Sequence, residues 1–360
     1  MRVLVAVEQL RRGLADGIST YTRGLLLGLS RLGTDRPDIS LLASRPPGGP
    51  DPLHDFGLPV LASPLPGPLL TRAWDRGLWA APHGFDLVHS VSQAMPPVRA
   101  GRGSLMVHDL AWREVPDTFP PRGRRWHEAS LQRAIAAGHL LVVPSTRTAD
   151  LLVADGVDAT RVEVVPHGCD HLAPVDDAAT DRLLARVGIT GPFLLTVSTL
   201  EPRKNLARLL QAYALARPQL PEPWPLLVVG AKGWGDALSG SVPHGAVLAG
   251  SVQGGALTGL YRRARCFAYV PLVEGFGLPP LEAMQECTPV VASPLPSTSA
   301  GDAVLEVDPF DVAAIAAGLI KASSDEPARS QLVTAGLDRA AELTWEACAR
   351  RHVELWEAWR

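Results

Sequence analysis

Residues 193–215 read FLLTVSTLEPRKNLARLLQAYAL, and the fold is predicted from the pattern in this stretch and its repetition along the chain. Residues 193–197 form a nearly continuous apolar run, which is typical of a strand covered on both faces in a parallel sheet. Residues 205–215 have the apolar spacing of a helix, and the polar turn between the two runs contains Arg203 and Lys204. The stretch therefore predicts a strand, a turn and a helix in succession.

The same alternation occurs in two series along the chain. Similar apolar runs predict strands at residues 3–7, 40–43, 87–89, 105–107, 140–143 and 162–165, and then at 193–197, 226–229, 247–249, 266–270 and 290–292. Helical spacing separates many of them, at residues 19–32, 131–137, 205–215 and 258–264. This pattern is typical of doubly wound α/β units. It predicts an α/β protein of two Rossmann-like domains, with parallel sheets that face a central cleft.

The domain limits follow from the breaks between the two series. The polar stretch at residues 171–179 separates an N-terminal domain at 1–172 from a C-terminal domain at 173–344. A last helix at 345–360 is predicted to return to the N-terminal domain. Residues 45–68 contain eight prolines and four glycines and are predicted to form a long surface loop.

Composition excludes several classes of function. The chain has 360 residues with a net charge of −3, so no basic field indicates nucleic acid as a partner. Its four cysteines contain no C-x-x-C pair, which argues against a disulfide framework or a zinc cluster and favours a reducing cytoplasm. The first apolar run is too short to span a bilayer and is predicted to be a strand.

The most specific motif is EGFGLPPLE at residues 274–282. Gly275 and Gly277 allow backbone N–H groups to approach a ligand, and the two prolines suit the start of a helix. The acids at its two ends, Glu274 and Glu282, repel phosphate but accept hydrogen bonds from the hydroxyl groups of sugars and riboses. The alternative is an ordinary helix start with Glu282 near the helix dipole, which does not explain why glycines, prolines and acids converge at one strand end.

This motif resembles the E-x₇-E motif of retaining glycosyltransferases of family 4, in the GT-B superfamily. Five further segments resemble that family in the expected order and extend the likeness over nearly the whole chain: residues 107–110, 143–145, 164–168, 196–205 and 227–234. The sequence is therefore suspected to belong to this family, and its residues 199–205 and 274–283 are similar to those of many GDP-mannose-dependent transferases.

The resemblance implies a role for each matching residue. Arg203 and Lys204 would neutralise the leaving diphosphate, Glu274 would face the transferred sugar, and Glu282 would hold the ribose hydroxyls. His108 and Asp109 would touch the sugar near its anomeric centre, although a lone histidine at a strand end is more often structural. The remaining donor-binding residues implied are Gly17, Ser198, Gly230, Lys232, Gly275, Phe276, Gly277 and Leu278.

Three departures from the family pattern affect the predicted site. Asp16 replaces the first glycine of the turn that lies near the donor phosphates, and Cys287 stands where glycine is usual. The S-x-x-P-E-[VI] segment is replaced by residues 293–299. A non-catalytic nucleotide-sugar-binding or scaffold homologue is therefore the main alternative to an enzyme.

The resemblance implies hexose transfer with retention of configuration. No metal ion is expected in this reaction, because the chain has no D-x-D motif and no cluster with metal-ligand spacing. No cofactor is expected, since the GDP- or UDP-hexose, mannose-like in preference, is a substrate. An epimerase, a phosphorylase or an NAD-dependent dehydrogenase would each need a site that is not found.

The acceptor is expected to be a glycan, a lipid-linked glycan or a small molecule. Arg122, Arg124, Arg125 and Trp126 could contact a membrane peripherally at its inner face, although a solvated helix face is commoner for such a run. Trp74 and Trp79 could likewise contact a membrane or pack inside the protein, and packing is favoured. The sequence gives no oligomeric state.

Overall fold

The structure is a computed structural model that describes residues 1–13, 16–238, 242–298 and 302–359. Its strands are β1 (Arg2–Ala6), β2 (Asp38–Ala43), β3 (Val60–Ala62), β4 (Leu87–Ser90), β5 (Gly103–Met106), β6 (Leu140–Val143), β7 (Val162–Val164), β8 (Leu194–Val197), β9 (Leu226–Val229), β10 (Ala246–Gly250), β11 (Cys266–Tyr269), β12 (Val290–Ala292) and β13 (Leu305–Glu306). Each strand predicted from the sequence overlaps one of these.

The helices lie between and after the strands. They are α1 (Glu8–Arg11), α2 (Gly17–Arg31), α3 (Gly67–Asp75), α4 (Ala111–Glu114), α5 (Pro121–Ala136), α6 (Thr146–Ala154), α7 (Asp177–Arg186), α8 (Leu206–Ala216), α9 (Gly255–Arg263), α10 (Leu278–Gln285), α11 (Val312–Ser324), α12 (Glu326–Ala341) and α13 (Trp345–Trp359). No helix in the described ranges is long and apolar enough to cross a membrane.

The chain forms two compact units, each built on one parallel sheet. The first unit contains residues 1–110, 121–168 and 344–360, and its strand order is β3-β2-β1-β4-β5-β6-β7. The second contains residues 111–120 and 169–343, and its strand order is β10-β9-β8-β11-β12-β13. The predicted fold class, two Rossmann-like parallel-sheet domains, is confirmed.

Each sheet has one point at which its strand order reverses. In the first unit β1 lies between β2 and β4, and in the second β8 lies between β9 and β11. Doubly wound sheets bind ligands outside the carboxyl ends of the strands at such a point. In the second unit, residues that follow β8 and β11 therefore occupy the place where a ligand is expected.

Helix α13 packs on α2 within the first unit. A Cβ atom added to Gly24 would lie 2.1 Å from Trp345 Cε2, and one added to Gly28 would lie 2.0 Å from the Trp345 carbonyl oxygen. Side chains at these two positions would therefore push the helices apart. Trp345 and Trp356, which the helix contributes, are fully buried.

A chain of hydrogen bonds ties α13 to the sheet of the first unit. Tyr21 Oη lies 2.9 Å from His352 Nε2 and 3.3 Å from His89 Nε2, and His89 Nδ1 lies 3.1 Å from Ser104 Oγ. His352 Nδ1 must donate to the Cys348 carbonyl oxygen at 2.9 Å, so its Nε2 accepts from Tyr21. His89 then donates to Tyr21 and accepts from Ser104. The chain is satisfied when both histidines are neutral.

Two expectations about the chain's organisation need correction. Residues 45–68 are not simply a surface loop, because they contain β3 and the fully buried Leu53, and buried Asp51 forms an ion pair with Arg11. Strand β3 has only three residues, and the prolines around it break up the apolar run from which a strand would be predicted.

Residues 111–120, predicted in the first domain, pack instead with the second unit. Trp234 Nε1 donates to the Thr118 carbonyl oxygen at 2.8 Å, and the rings of Trp234 and Phe119 lie 5.8 Å apart. The units change at residues 168 and 169, where the Cys169 amide donates to the Leu343 carbonyl oxygen at 3.0 Å.

Candidate active site

The second unit brings together three of the predicted site residues at its order-reversal point. Arg203 and Lys204 follow β8, and Glu274 follows β11. Glu274 Oε1 lies 3.0 Å from Arg203 Nη1 and accepts a close hydrogen bond from Lys204 Nζ. A strand-to-turn connection thus supplies two cations, and the neighbouring strand supplies the carboxylate between them.

Burial makes these charges interact strongly. The side chains of Arg203, Lys204 and Glu274 are only 11%, 12% and 10% exposed. Burial would raise the pKa of Glu274, but the positive charges of Arg203 and Lys204 outweigh it and lower the pKa to about 2. Glu274 is therefore a carboxylate at neutral pH and cannot supply a proton there.

Two residues that the sequence analysis did not select complete this cluster. Tyr269, the last residue of β11, donates to Glu274 Oε1 at 2.8 Å and accepts from Lys204 Nζ at 2.9 Å. Glu201 accepts from Arg203 Nη2 at 2.8 Å. The position of Tyr269 at a strand end, five residues before Glu274, is a pattern that could have indicated it. Glu201 stands two positions before Arg203 in the family-like segment at residues 196–205, but the resemblance implied no role for it.

Glu282 lies in a separate buried arrangement on α10. Its carboxylate accepts from Tyr261 Oη at 2.7 Å and lies 3.0 Å from His171 Nε2. Burial would raise the pKa of Glu282, but the contacts with His171 and Tyr261 lower it overall. Tyr261 and His171 come from distant parts of the sequence, so spacing could not reveal them.

The glycine-rich turn starts α10 in the expected way. Gly277 is the N-cap with φ of 102°, a value that side chains other than glycine rarely adopt, and its carbonyl oxygen accepts from Ser297 Oγ at 2.8 Å. Phe276 and Leu278, on either side, are buried. Gly275 lies between Glu274 and Phe276 in the same turn.

The other predicted donor residues of this unit lie on the connections after β8 and β9. Ser198 N donates to the Val229 carbonyl oxygen at 2.9 Å, which continues the pairing of the strands. The Gly230 amide donates to the Gly250 carbonyl oxygen at 2.9 Å, and a Cβ at Gly230 would lie 1.7 Å from the Ser198 carbonyl oxygen. Gly230 therefore has a packing role in this structure. Lys232 is exposed on the same connection.

The structure describes most of the residues that depart from the family pattern. Asp16 is the N-cap of α2 and accepts from the Ser19 amide at 2.8 Å and from Gln9 Nε2 at 2.6 Å. Cys287 follows the end of α10 with φ of 58°. In the variant segment, Ser293 Oγ donates to the Pro271 carbonyl oxygen at 2.9 Å, and Ser299 lies outside the described residues.

Gly17, His108 and Asp109 belong to the first unit. A Cβ at Gly17 would meet no atom within 4 Å, so packing does not require a glycine there. His108 Nε2 donates to the Val91 carbonyl oxygen at 2.8 Å, which leaves Nδ1 of the neutral ring as an acceptor. Burial lowers the pKa of His108, although the Val91 contact and the carboxylates of Asp109 and Asp16 oppose that effect.

The described residues include no group of three or more histidine, cysteine, aspartate or glutamate side chains that could hold a metal ion.

Family models match both halves of the chain. The model for glycosyl transferases group 1 matches residues 185–339, and that for Glycosyltransferase Family 4 matches residues 15–171. The O-antigen chain mannosyltransferase B of Escherichia coli is 31% identical over 307 residues, which are 81% of this chain and 80% of that protein. The chain belongs to the glycosyl transferases group 1. Its predicted family and its assignment as a glycosyltransferase are confirmed.

Another relative extends the match to almost the full length of this glycosyltransferase. The D-inositol 3-phosphate glycosyltransferase of Corynebacterium jeikeium is 27% identical over 412 aligned positions, which cover 98% of this chain and 94% of that protein.

Solved structures share the fold of this glycosyltransferase over its whole length. HepE from Anabaena in complex with UDP-glucose has a TM-score of 0.71 at 18% identity and covers 99% of this chain and all of its own. Sucrose-phosphate synthase from Thermosynechococcus elongatus has a TM-score of 0.74 at 18% identity, with 99% and 98% of the two chains covered. At this identity the likeness establishes the fold, which is GT-B.

Proposed function

We propose that this glycosyltransferase moves a hexose, mannose in preference, from a GDP- or UDP-sugar to an acceptor hydroxyl, with retention of configuration and without a metal ion. The observation that carries the proposal is the pair Arg203 and Lys204, buried beside Glu274 at the order-reversal point of the second sheet. Two cations at that position suit the diphosphate of a nucleotide sugar.

The reaction breaks the bond between the anomeric carbon and the diphosphate oxygen and forms one to the acceptor oxygen. Arg203 and Lys204 stabilise the negative charge that develops on the leaving diphosphate. The acceptor proton passes to a phosphate oxygen of the leaving group. No enzyme nucleophile is required, and Glu274 contributes as an ionised acceptor for sugar hydroxyls, consistent with its lowered pKa.

The remaining predicted residues hold the donor in this proposal. Glu282 accepts hydrogen bonds from the ribose hydroxyls, and Gly275 and Gly277 admit the donor close to the backbone. In the first unit, His108 Nε2 donates to the Val91 carbonyl oxygen, so its Nδ1 is assigned as the acceptor of a hydrogen bond from a sugar hydroxyl. Asp109 and Gly17 are the other residues of that unit to which donor contacts are assigned.

Relatives support the choice of substrates. Several of them carry names that include mannosyltransferase, and one acts on the O-antigen chain, which favours mannose and a glycan or lipid-linked acceptor. HepE was solved with UDP-glucose, which keeps UDP-sugars among the donors to test. Four free cysteines, three of them buried, are compatible with work in the reducing cytoplasm.

The first experiment compares Lys204→Met with Lys321→Met in a transfer assay that contains GDP-mannose or UDP-glucose and a chelator instead of metal. Lys321 is an exposed lysine on α11 and serves as the matched control. Loss of one group that stabilises the leaving charge should lower kcat by about 10²–10³-fold, whereas the control should keep wild-type activity. Equal activity in the two variants would refute the role of Lys204.

A second variant separates donor binding from transfer. Glu274→Gln removes the carboxylate that forms ion pairs with both Arg203 and Lys204, so both cations become available to a diphosphate. GDP or UDP alone should therefore stabilise this variant more than wild type in a thermal-shift titration. Transfer should nevertheless fall, because the sugar hydroxyls lose an ionised acceptor. If no nucleotide stabilised the wild-type protein, the scaffold alternative would replace catalysis. An inverted product anomer, observed by NMR, would exclude retention.

A further inference from the structure

The outer face of α3 and the loop after it expose large apolar side chains among arginines. Leu69, Leu78 and Trp79 are 48%, 59% and 46% exposed. Arg72 and Arg76 lie one and two turns after Leu69 on the same side of α3 and are exposed, while Leu70 and Trp74 on the other side are buried. We refer to Leu69, Arg72, Arg76, Leu78, Trp79 and Arg122 as the α3 face.

Backbone hydrogen bonds fix both ends of the loop that contains Leu78 and Trp79. The Leu78 amide donates to the Ala73 carbonyl oxygen at 2.9 Å, and the Gly77 amide donates to that of Trp74 at 3.0 Å. This is the Schellman pattern, in which the residue at the Leu78 position usually packs against the helix. Here Leu78 is the most exposed of the three apolar side chains instead, and Ala81, hydrogen-bonded to Pro97 at 3.0 Å, fixes the far end of the loop.

Trp79 also carries backbone strain. Its φ is 58°, in the left-handed region, which costs a residue with a side chain roughly 1–2 kcal/mol. Strain of this kind is concentrated at functional positions, since a structure without a use for it gains stability by substitution to glycine. A strained tryptophan that is 46% exposed is not explained by packing, the role favoured from the sequence.

Helix α5 adds positive charge beside α3. Trp126 Nε1 donates to Asp75 Oδ2 at 2.9 Å and Arg133 Nη2 donates to Asp75 Oδ1 at 2.8 Å, so the two helices are adjacent. Arg122 lies one turn before Trp126 on the same side of α5. Segments 67–82 and 121–136 together contain six arginines (Arg72, Arg76, Arg122, Arg124, Arg125 and Arg133) and two acids (Asp75 and Glu128). Within the described ranges Arg72, Arg76 and Arg122 form no ion pair.

We propose that the α3 face docks this protein on an anionic lipid surface. Arginines attract the negative headgroups, and tryptophan and leucine side chains enter the boundary between headgroups and acyl chains. A second copy of the chain fits less well, because a symmetric contact would bring the same arginines face to face. The docking does not depend on the proposed sugar transfer.

The test is flotation of the full-length protein with vesicles of phosphatidylcholine alone or of equal parts phosphatidylcholine and phosphatidylglycerol. Wild type should bind only the anionic vesicles, and more weakly as salt is added. Arg72→Gln with Arg76→Gln should weaken binding about fivefold per arginine, or roughly 25-fold together. Trp79→Gly should weaken it at least about tenfold and leave the thermal midpoint equal to or above that of wild type, because the strain is relieved.

Leu215→Ser is the matched control, since Leu215 is 52% exposed on α8 of the second unit, and it should bind as wild type does. The proposal is overturned if wild type does not bind anionic vesicles, if it binds neutral ones equally, or if Trp79→Gly binds unchanged. It is also overturned if light scattering shows a dimer that Trp79→Gly dissociates, because the α3 face would then be an interface between two copies.

Discussion

Replacement of Cys287 by glycine should stabilise the second unit. The Cys287 amide donates to the Met284 carbonyl oxygen at 3.0 Å and the Thr288 amide to that of Ala283 at 3.0 Å, so α10 ends in a Schellman motif. Its left-handed position, usually glycine, is occupied by Cys287 with φ of 58°. Because the cysteine is exposed, its removal loses little packing.

The size of the effect follows from two opposing terms. Release of the left-handed strain contributes roughly 1–2 kcal/mol, and the greater freedom of glycine in the unfolded chain costs about 0.5–1 kcal/mol. The middles of the two ranges give an expected net gain of about 0.75 kcal/mol, or an increase of roughly 1.5–3 °C in the midpoint of a unit of this size. Calorimetry with a reductant present measures it.

Cys287→Ala is the control for this prediction, because it removes the thiol but keeps the Cβ that causes the strain. Its midpoint should stay near that of wild type. If alanine raised the midpoint as much as glycine, the thiol and not the backbone would be responsible, and a glycine variant no more stable than wild type would refute the reasoning altogether.

Three further changes test other parts of the structure. Gly28→Ala should destabilise the protein by about 1–3 kcal/mol in urea unfolding, since the methyl group would overlap the Trp345 carbonyl. Gly17→Ala, on the same helix, is the control and should not destabilise the protein, because a methyl group there meets no atom within 4 Å. It should lower the rate of sugar transfer if the donor passes close to that position. Burial lowers the pKa of His352 to about 4, so the folded state resists protonation that the unfolded state accepts below about pH 6.5. The contribution of this group to stability should therefore be full above that pH and fall towards pH 4 by up to about 1.4 kcal/mol per pH unit. His352→Leu should reduce this slope of stability against pH, even though it lowers the stability at about pH 7.5. An unchanged slope would contradict the role of His352. Asn205→Ala should cost about 2 kcal/mol or more, because Nδ2 donates to the Val270 and Pro309 carbonyl oxygens and φ is 59°; a smaller loss would show that the two contacts contribute little.

The local patterns of the sequence predicted the elements of the fold well, because buried parallel strands leave continuous apolar runs. They could not give the strand order, which depends on pairings between distant segments such as β1 with β4. They also missed β3, since its three residues lie among prolines. Residues 111–120 were misplaced because the contact that holds them, with Trp234, is more than a hundred positions away.

The candidate site shows the same division. Arg203, Lys204 and Glu274 lie in motifs that can be recognised in the sequence, and the structure brings the three side chains together. Tyr261 and His171, which hold Glu282, come from separate segments and have no motif of their own. The roles of all these residues toward a donor stay predictions that the variants above test.

The packing of α13 on α2 has a consequence for the order in which the protein is made. Synthesis delivers Gly24 and Gly28 well before α13, the helix that fills the space beside them and begins at Trp345. All of the second unit is translated before then. The unit made first should therefore be the last to reach its native state, and until that moment the surface that will cover Trp345 and Trp356 is open to chaperones.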